Sequence, residues 1–78
     1  MGVVEHFFDK IDVVAIKLSG PLKVGDIIEI GDEENAVRQK ITSMQIDRED
    51  VGHAGEGDSI GIKLAHKVSP GSRVYRLK

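Results

Sequence analysis

The amino-acid sequence predicts an all-β domain, a small closed barrel of six strands, on the basis of three observations. Nine glycines and two prolines divide the 78 residues into short runs. Those runs are rich in valine and isoleucine, and such runs between turn residues are typical of strands. A chain this short buries only about 60–65% of the surface that its unfolded form exposes, so we expect residues 1–78 to form one domain with a small core.

The first two runs, Val3 to Phe8 and Ile11 to Leu18, are separated by Asp9-Lys10. Two residues between strands favour a β-hairpin, but Asp-Lys is not a preferred turn pair, so one long bent strand is the alternative. Phe8 is expected to pack in the core rather than to serve as a binding platform, because so small a core relies on its few large apolar side chains.

A turn followed by a strand occurs three times further along the chain. In the last of these turns, Pro70 fixes φ near −65° and Gly71 accepts a positive φ, as the central positions of a type II turn require. Three such units imply a meander of strands. The turns are Leu22-Lys23-Val24-Gly25-Asp26, Gly55-Glu56-Gly57-Asp58 and Ser69-Pro70-Gly71-Ser72.

The segment from Asp32 to Ile46 admits two interpretations. A helix capped by Asp32 would place apolar residues between 36 and 41 on one face. As a strand, the segment alternates from Val37 to Ile41, and Met44 and Ile46 then alternate in the opposite parity. Since a strand cannot change parity without an extra residue, we favour a strand with a register break near Thr42-Ser43.

Even-numbered positions of the second, third and fifth runs are apolar and form the predicted lining of the barrel. Closing the sheet would remove the unpaired edges that six short strands otherwise expose. The predicted lining residues are Val14, Ile16, Leu18, Ile28, Ile30, Ile60, Ile62 and Leu64.

Composition and the first residues bear on location. The sequence contains no cysteine, which excludes a disulfide framework and a thiolate zinc site. It has neither a basic stretch followed by an apolar run at its start nor an apolar segment near the ~18 residues that span a bilayer. We therefore expect a cytoplasmic protein that does not contact membranes.

Several kinds of chemistry lack the residues they need. The four glycines between positions 52 and 61 match neither phosphate-loop spacing and precede a strand instead of a helix, so no GTP or ATP binding is expected. His6, His53 and His66 are too scattered for a metal site. Because no serine lies in a nucleophile elbow, we expect neither catalysis nor a cofactor.

The net charge of −2 conceals a division along the chain. Between Asp26 and Asp58 there are ten acidic and three basic residues, whereas Ser59 to Lys78 hold five basic and no acidic ones. A basic stretch beside an aromatic ring is typical of a nucleic-acid-binding surface, although strand pairing can interleave charges that are distant in sequence. The predicted nucleic-acid-binding residues are Lys63, Lys67, Arg73, Tyr75 and Arg76.

Four segments together resemble the second domain of translational GTPases such as elongation factor Tu. The resemblance covers nearly the whole chain and is closest to small stand-alone archaeal elongation-factor-like proteins. It extends to the barrel at the C-terminus of collagenase-like peptidases. Here Ser72 replaces the family's last aspartate, and the P-loop and the rest of the GTPase domain are absent. The segments are Leu22-Lys23-Val24-Gly25-Asp26, Thr42-Ser43-Met44-Gln45-Ile46, residues 54–62 and Pro70-Gly71-Ser72-Arg73-Val74-Tyr75.

This resemblance implies a barrel of the translation-protein type. In elongation factor Tu that domain contacts the aminoacylated end of tRNA and packs against the GTPase domain. We therefore expect a non-catalytic module that binds RNA or a ribonucleoprotein in translation. The alternative is a protein-interaction or accessory module of an enzyme whose catalytic chain lies elsewhere. RNA binding would weaken steeply with salt, and an apolar protein interface would not.

Overall fold

The described part of the chain, residues 2–31, 36–64 and 68–77 of a computed structural model, forms ten strands and no helix. The all-β prediction is confirmed. The strands are β1 (Gly2–Phe8), β2 (Val13–Leu18), β3 (Leu22–Lys23), β4 (Ile27–Ile30), β5 (Val37–Lys40), β6 (Gln45–Ile46), β7 (Glu49–Asp50), β8 (His53–Ala54), β9 (Ser59–Lys63) and β10 (Arg73–Leu77).

Eight of these strands form one antiparallel sheet in the order β5-β4-β10-β1-β2-β9-β6-β7, and β3 pairs with β8 separately. The large sheet curls into a half-barrel around the core. Its end strands β5 and β7 do not pair with each other within the described residues. The prediction of a closed six-stranded barrel is therefore wrong in strand number and in closure.

The difference arises after residue 37. The one long strand predicted as far as Ile46 is divided into β5 and β6, and the short strands β7 and β8 that follow were not predicted. β5 pairs with β4 as far as Lys40, and the chain then joins β9 through the pair Gln45 and Gly61. Ile41 and Met44 are both about 1% exposed although they are three residues apart. In a continuous strand they would point to opposite faces. The register break predicted near Thr42-Ser43 is confirmed, and β5 rules out the helix.

The first two strands form the predicted hairpin, but the loop between them has four residues, 9–12, instead of two, and β1 contains a β-bulge. The register between β1 and β2 shifts between Val4 and His6, which leaves Glu5 without a partner. Beyond the bulge the alternation is inverted, so Phe7 packs against the core and Phe8 is 46% exposed. The prediction that Phe8 lies in the core is therefore wrong. Its ring meets the His6 ring edge to face, with 4.4 Å between centroids.

The three predicted turns share one geometry. In each, the last residue donates its backbone N–H to the carbonyl three residues earlier, over 3.1 to 3.2 Å. Each also has a glycine with a positive φ immediately before its last residue, which is the requirement of a type II turn. In the first two turns the closing aspartate also accepts the N–H of the residue three positions earlier, over 3.0 and 2.9 Å. The glycines are Gly25 (φ 101°), Gly57 (φ 90°) and Gly71 (φ 89°).

The core lies inside the curl of the large sheet. All eight predicted lining residues are at most 2% exposed, so that part of the prediction is confirmed. No polar side chain is buried among the described residues. The core therefore depends on apolar packing alone. The other buried apolar side chains in the described residues are Val4, Leu22, Ile41, Met44, Ala54 and Val74.

Candidate functional site

The structure does not gather the predicted basic residues on one surface. Arg73 on β10 and Lys63 on β9 are separated by β1 and β2. Across the sheet, Arg73 pairs with Val3, Val3 with Lys17, and Lys17 with Ser59. Lys63 lies four residues after Ser59 on β9. The two cations therefore point outward at different ends of the sheet. Lys67 lies outside the described residues.

Alternation along β10 separates the remaining three predicted residues. Arg73 and Tyr75 point outward, whereas Arg76 is paired in register with the fully buried Ile28 and so lies on the inner side, at the rim. There its Nη1 is 4.0 Å from Oδ2 of Asp26. Tyr75 therefore has one of the two arginines on its own face and the other on the opposite face.

An open cleft of about 330 Å³ surrounds this ion pair at the rim. Asp26 already accepts a backbone N–H from Lys23, and its carboxylate is also the partner of Arg76. Among the described residues that line the cleft there is no serine, threonine, cysteine or histidine, and its one carboxylate is already paired with a guanidinium. The lining residues are Lys23, Gly25, Asp26, Ile27, Arg76 and Leu77.

A larger surface is formed by the outward side chains of the central strands. Val3, Ile27 and Tyr75 are 45%, 42% and 44% exposed there. Val3 lies directly between Arg73 on β10 and Lys17 on β2. On the neighbouring strands, Arg38 is paired with Glu29 and Lys40 with Ile27. We call this surface the basic outer face; it consists of Lys17, Arg38, Lys40 and Arg73 around Val3, Ile27 and Tyr75.

Most cations of the basic outer face have no acidic partner in the described residues. Arg38 lies 3.5 Å from Glu29, from Nε to Oε1, and 70% of its side chain is exposed. Such an exposed pair contributes about 0–1 kcal/mol. Lys17, Lys40 and Arg73 form no ion pair within the described ranges. Glu29, the register partner of Tyr75, also lies on this face, so its cations outnumber its acidic residues without being its only charges among the described residues.

Sequence reasoning identified Arg73 and Tyr75 on this face but missed the other five residues, among them Val3 and Lys17. The signal was present, since both residues alternate with the buried Val4 and Ile16. What the sequence did not reveal is that β1 lies between β2 and β10, which places Val3 between two cations. A neighbourhood across strands depends on topology, and alternation along a single strand does not contain it.

A second exposed apolar surface lies at the end of the β1–β2 hairpin. Phe8 and Ile11 are 46% and 59% exposed, and a cleft of about 200 Å³ lies beside them. Lys10 is also exposed there, between Asp9 and Asp12. The charges at this hairpin tip are therefore mixed, unlike those of the basic outer face.

Metal ligands do not converge in the described ranges. No three histidine, aspartate or glutamate side chains among them come close enough to hold a metal ion. His6 packs on Phe8, and His53 is exposed on β8. Nor do the ordered elements of these ranges include a helix with the length and apolarity to span a bilayer.

Comparison with known proteins gives one sequence relative and two structural ones. No protein-family model matches the chain. Over a 79-residue alignment spanning the whole chain, it is 43% identical to an uncharacterized protease of Methanocaldococcus jannaschii. The chain covers only 19% of that protease.

The structural relatives are two crystal structures of the C-terminal domain of a putative U32 peptidase from Geobacillus thermoleovorans. One superimposes with a TM-score of 0.90 over 99% of this chain and 90% of that domain. The other, a selenomethionine variant, gives 0.86 over 94% and 93%. At 14% sequence identity, both show that the fold is shared.

These matches support the resemblance to the C-terminal barrel of peptidases. They also correct the functional prediction, because the proteins that share this sequence and fold are described as proteases, with no link to translation. The assignment to translation elongation factors and to RNA binding is therefore wrong. The dispersal of Lys63, Arg73 and Arg76 over two faces and two ends of the sheet agrees with this correction.

Proposed function

We propose that this chain is a non-catalytic accessory module of a protease, a barrel-like unit that packs against the part that cleaves peptide bonds. The observation that carries the proposal is the 43% identity over the whole chain to a protease of which it covers 19%. A module of this kind contributes to positioning or stability, and the reacting groups lie elsewhere in the protein.

The fold supports this function. Its structural relatives are themselves C-terminal domains of a peptidase, crystallised apart from the rest of the protein. Within the described residues, the rim cleft pairs its one carboxylate with a guanidinium, and no metal-binding cluster is present. The exposed side chains of the basic outer face, by contrast, are available for contact with another protein surface.

A chimera tests the proposal. In the M. jannaschii protease, the segment that matches this chain is replaced by residues 1–78, and a second variant lacks the segment altogether. Hydrolysis of fluorescently labelled casein is measured for the parent, the chimera, the deletion variant and this chain alone. We expect the chimera to retain most of the parent's activity, the deletion variant to lose it, and this chain alone to cleave nothing.

Two outcomes would contradict the proposal. Cleavage of casein by residues 1–78 alone would make the chain an enzyme. A deletion variant as active as the parent would show that the segment has no accessory role in that protease. Circular dichroism of each variant distinguishes loss of the module's contribution from loss of folding.

A further inference from the structure

We propose that the basic outer face is the docking surface of this chain and that its partner is an acidic protein surface with an apolar centre. The inference rests on the function proposed above, under which that surface belongs to the catalytic part of the protease. It identifies the face used and the chemistry that the partner must present.

The position of the exposed apolar side chains is the first argument. β1 and β10 lie in the middle of the large sheet, and Val3 and Tyr75 point outward from them. Tyr75 is two residues from Arg73, the register partner of Val3, so it is a diagonal neighbour of Val3. Ile27, on β4, extends the apolar surface. Tyrosine and arginine at the centre of a patch are typical of the residues that dominate protein interfaces.

The charges around this centre are the second argument. Lys17 and Arg73 lie on either side of Val3, and Lys40 lies beside Ile27. None of the three has an acidic partner among the described residues, and Glu29 is paired with Arg38. Carboxylates on a partner would complement these cations and speed the encounter, whereas a basic partner would be repelled.

The rest of the chain has the opposite charge. Asp47, Glu49 and Asp50 lie on the β6–β7 hairpin at one end of the sheet, several strands away from β10. Because the molecule as a whole has a net charge of −2, its attraction for an acidic partner must be local to the basic outer face. This separation of charge turns the basic outer face toward an acidic partner as the two proteins approach each other.

The apolar centre favours a protein partner over other acidic molecules. Val3 and Ile27 are aliphatic, and Tyr75 is the one aromatic ring among the seven residues that define this face. Single-stranded nucleic acids are bound by stacking successive bases on aromatic rings, and aliphatic side chains provide no such platform. Apolar protein side chains, however, lose contact with water when they pack against valine and isoleucine.

A titration with model acidic polymers tests the proposal without any protease. The ¹⁵N-labelled chain is titrated with a random copolymer of glutamate and tyrosine, and amide shifts are followed by NMR. We expect saturable shifts at Lys17, Arg73 and Tyr75, and weaker binding to polyglutamate, which offers no apolar group. Polylysine should not bind to this face. Raising the salt concentration from 50 to 500 mM should weaken binding to the copolymer.

Two double variants of identical composition provide the control. Lys17→Glu with Arg73→Glu reverses two charges on the basic outer face. Lys10→Glu with Arg48→Glu reverses one lysine and one arginine in exposed turns away from it. We expect the first pair to weaken copolymer binding by about tenfold or more and the second by less than about twofold, because close charge pairs contribute most. NMR spectra of each free variant verify the fold, and Tyr75→Ala with Lys17→Gln replaces the first pair if it unfolds.

Any one of the following results would overturn the proposal. Shifts confined to the hairpin tip or to the β6–β7 hairpin would place the surface elsewhere, and equal losses in both double variants would make the effect one of net charge. Tighter binding of tRNA than of the copolymer, lost in the first pair, would indicate a nucleic-acid face. Self-association in light scattering that is abolished by Arg73→Glu would make a second copy the occupant. If the chimera is active but residues 1–78 bind no acidic polymer, the proposed accessory function stands. The basic outer face is then excluded as the docking surface.

Discussion

At the scale of single residues, the space available beside the backbone constrains the sequence at Gly2. A Cβ atom at this buried position would lie 2.8 Å from the backbone oxygen of Lys17 and 3.0 Å from Cγ2 of Ile16. The first of these atoms belongs to the backbone of a paired strand and cannot move without disturbing the sheet. At Gly55, by contrast, a Cβ atom would have no neighbour within 4 Å, and its φ is not positive.

The Gly2→Ala variant should therefore lose about 1–3 kcal/mol of unfolding free energy, as overpacked sites do. The matched Gly55→Ala variant should change by less than about 0.5 kcal/mol, since alanine fits there and reduces the freedom of the unfolded chain. Urea denaturation followed by circular dichroism measures both. Equal stabilities for the two variants would show that the close approach at Gly2 is relieved at no cost.

Residue-scale prediction succeeded where alternation was unbroken. In β2, β4 and β9 a period of two places apolar side chains on one face, and all the residues predicted there are buried. It failed at Phe8, because the bulge at Glu5 inverts the alternation and nothing in Val4-Glu5-His6 indicates a bulge. For the candidate site, the sequence identified the charged and aromatic residues of β10. It could not reveal which strands flank them.

At the scale of elements, the β6–β7 hairpin was not predicted. Its two-residue loop, Asp47-Arg48, has φ values of 51° and 66°, and the pair Ile46 and Glu49 closes it. Positive φ at both loop residues defines a type I′ turn, for which Asn-Gly or Asp-Gly is the usual sequence. Because arginine takes the place of glycine, the sequence lacked the signal that would have indicated a hairpin.

Replacing Arg48 with glycine should stabilise the hairpin. A non-glycine residue in the left-handed region costs about 1–2 kcal/mol, and glycine removes most of this cost. We expect Arg48→Gly to raise the free energy of unfolding by about 0.5–1 kcal/mol after its own greater loss of chain entropy.

The control is Lys10→Gly in the β1–β2 loop, where φ is not positive. There glycine only adds flexibility to the unfolded chain, so the variant should be equally stable or less stable than the parent. Thermal melts followed by circular dichroism compare the two. If Arg48→Gly is no more stable than Lys10→Gly, the left-handed turn is not a source of strain.

At the scale of the whole molecule, a small apolar core must stabilise the fold without a disulfide. The core of a domain of this size rarely supplies a margin above about 3–5 kcal/mol. Truncating a buried isoleucine costs about 2–5 kcal/mol. Ile16→Ala should therefore leave much of the protein unfolded at 25 °C. The same truncation at Ile11, which is 59% exposed, should preserve a folded NMR spectrum. A dispersed spectrum for Ile16→Ala would indicate a margin larger than domains of this length usually have.

The order of strands also determines when the molecule can fold during synthesis. β10, the last strand among the described residues, lies between β4 and β1 and pairs with both. Before residues 73–77 leave the ribosome, β4–β5 is therefore separated from the sheet built on β1 and β2, and apolar side chains on both parts meet water. Synthesis at about 5–20 residues per second adds those five residues in under about a second. The nascent chain thus completes this sheet only after residues 73–77 have been added, by inserting a strand into its middle.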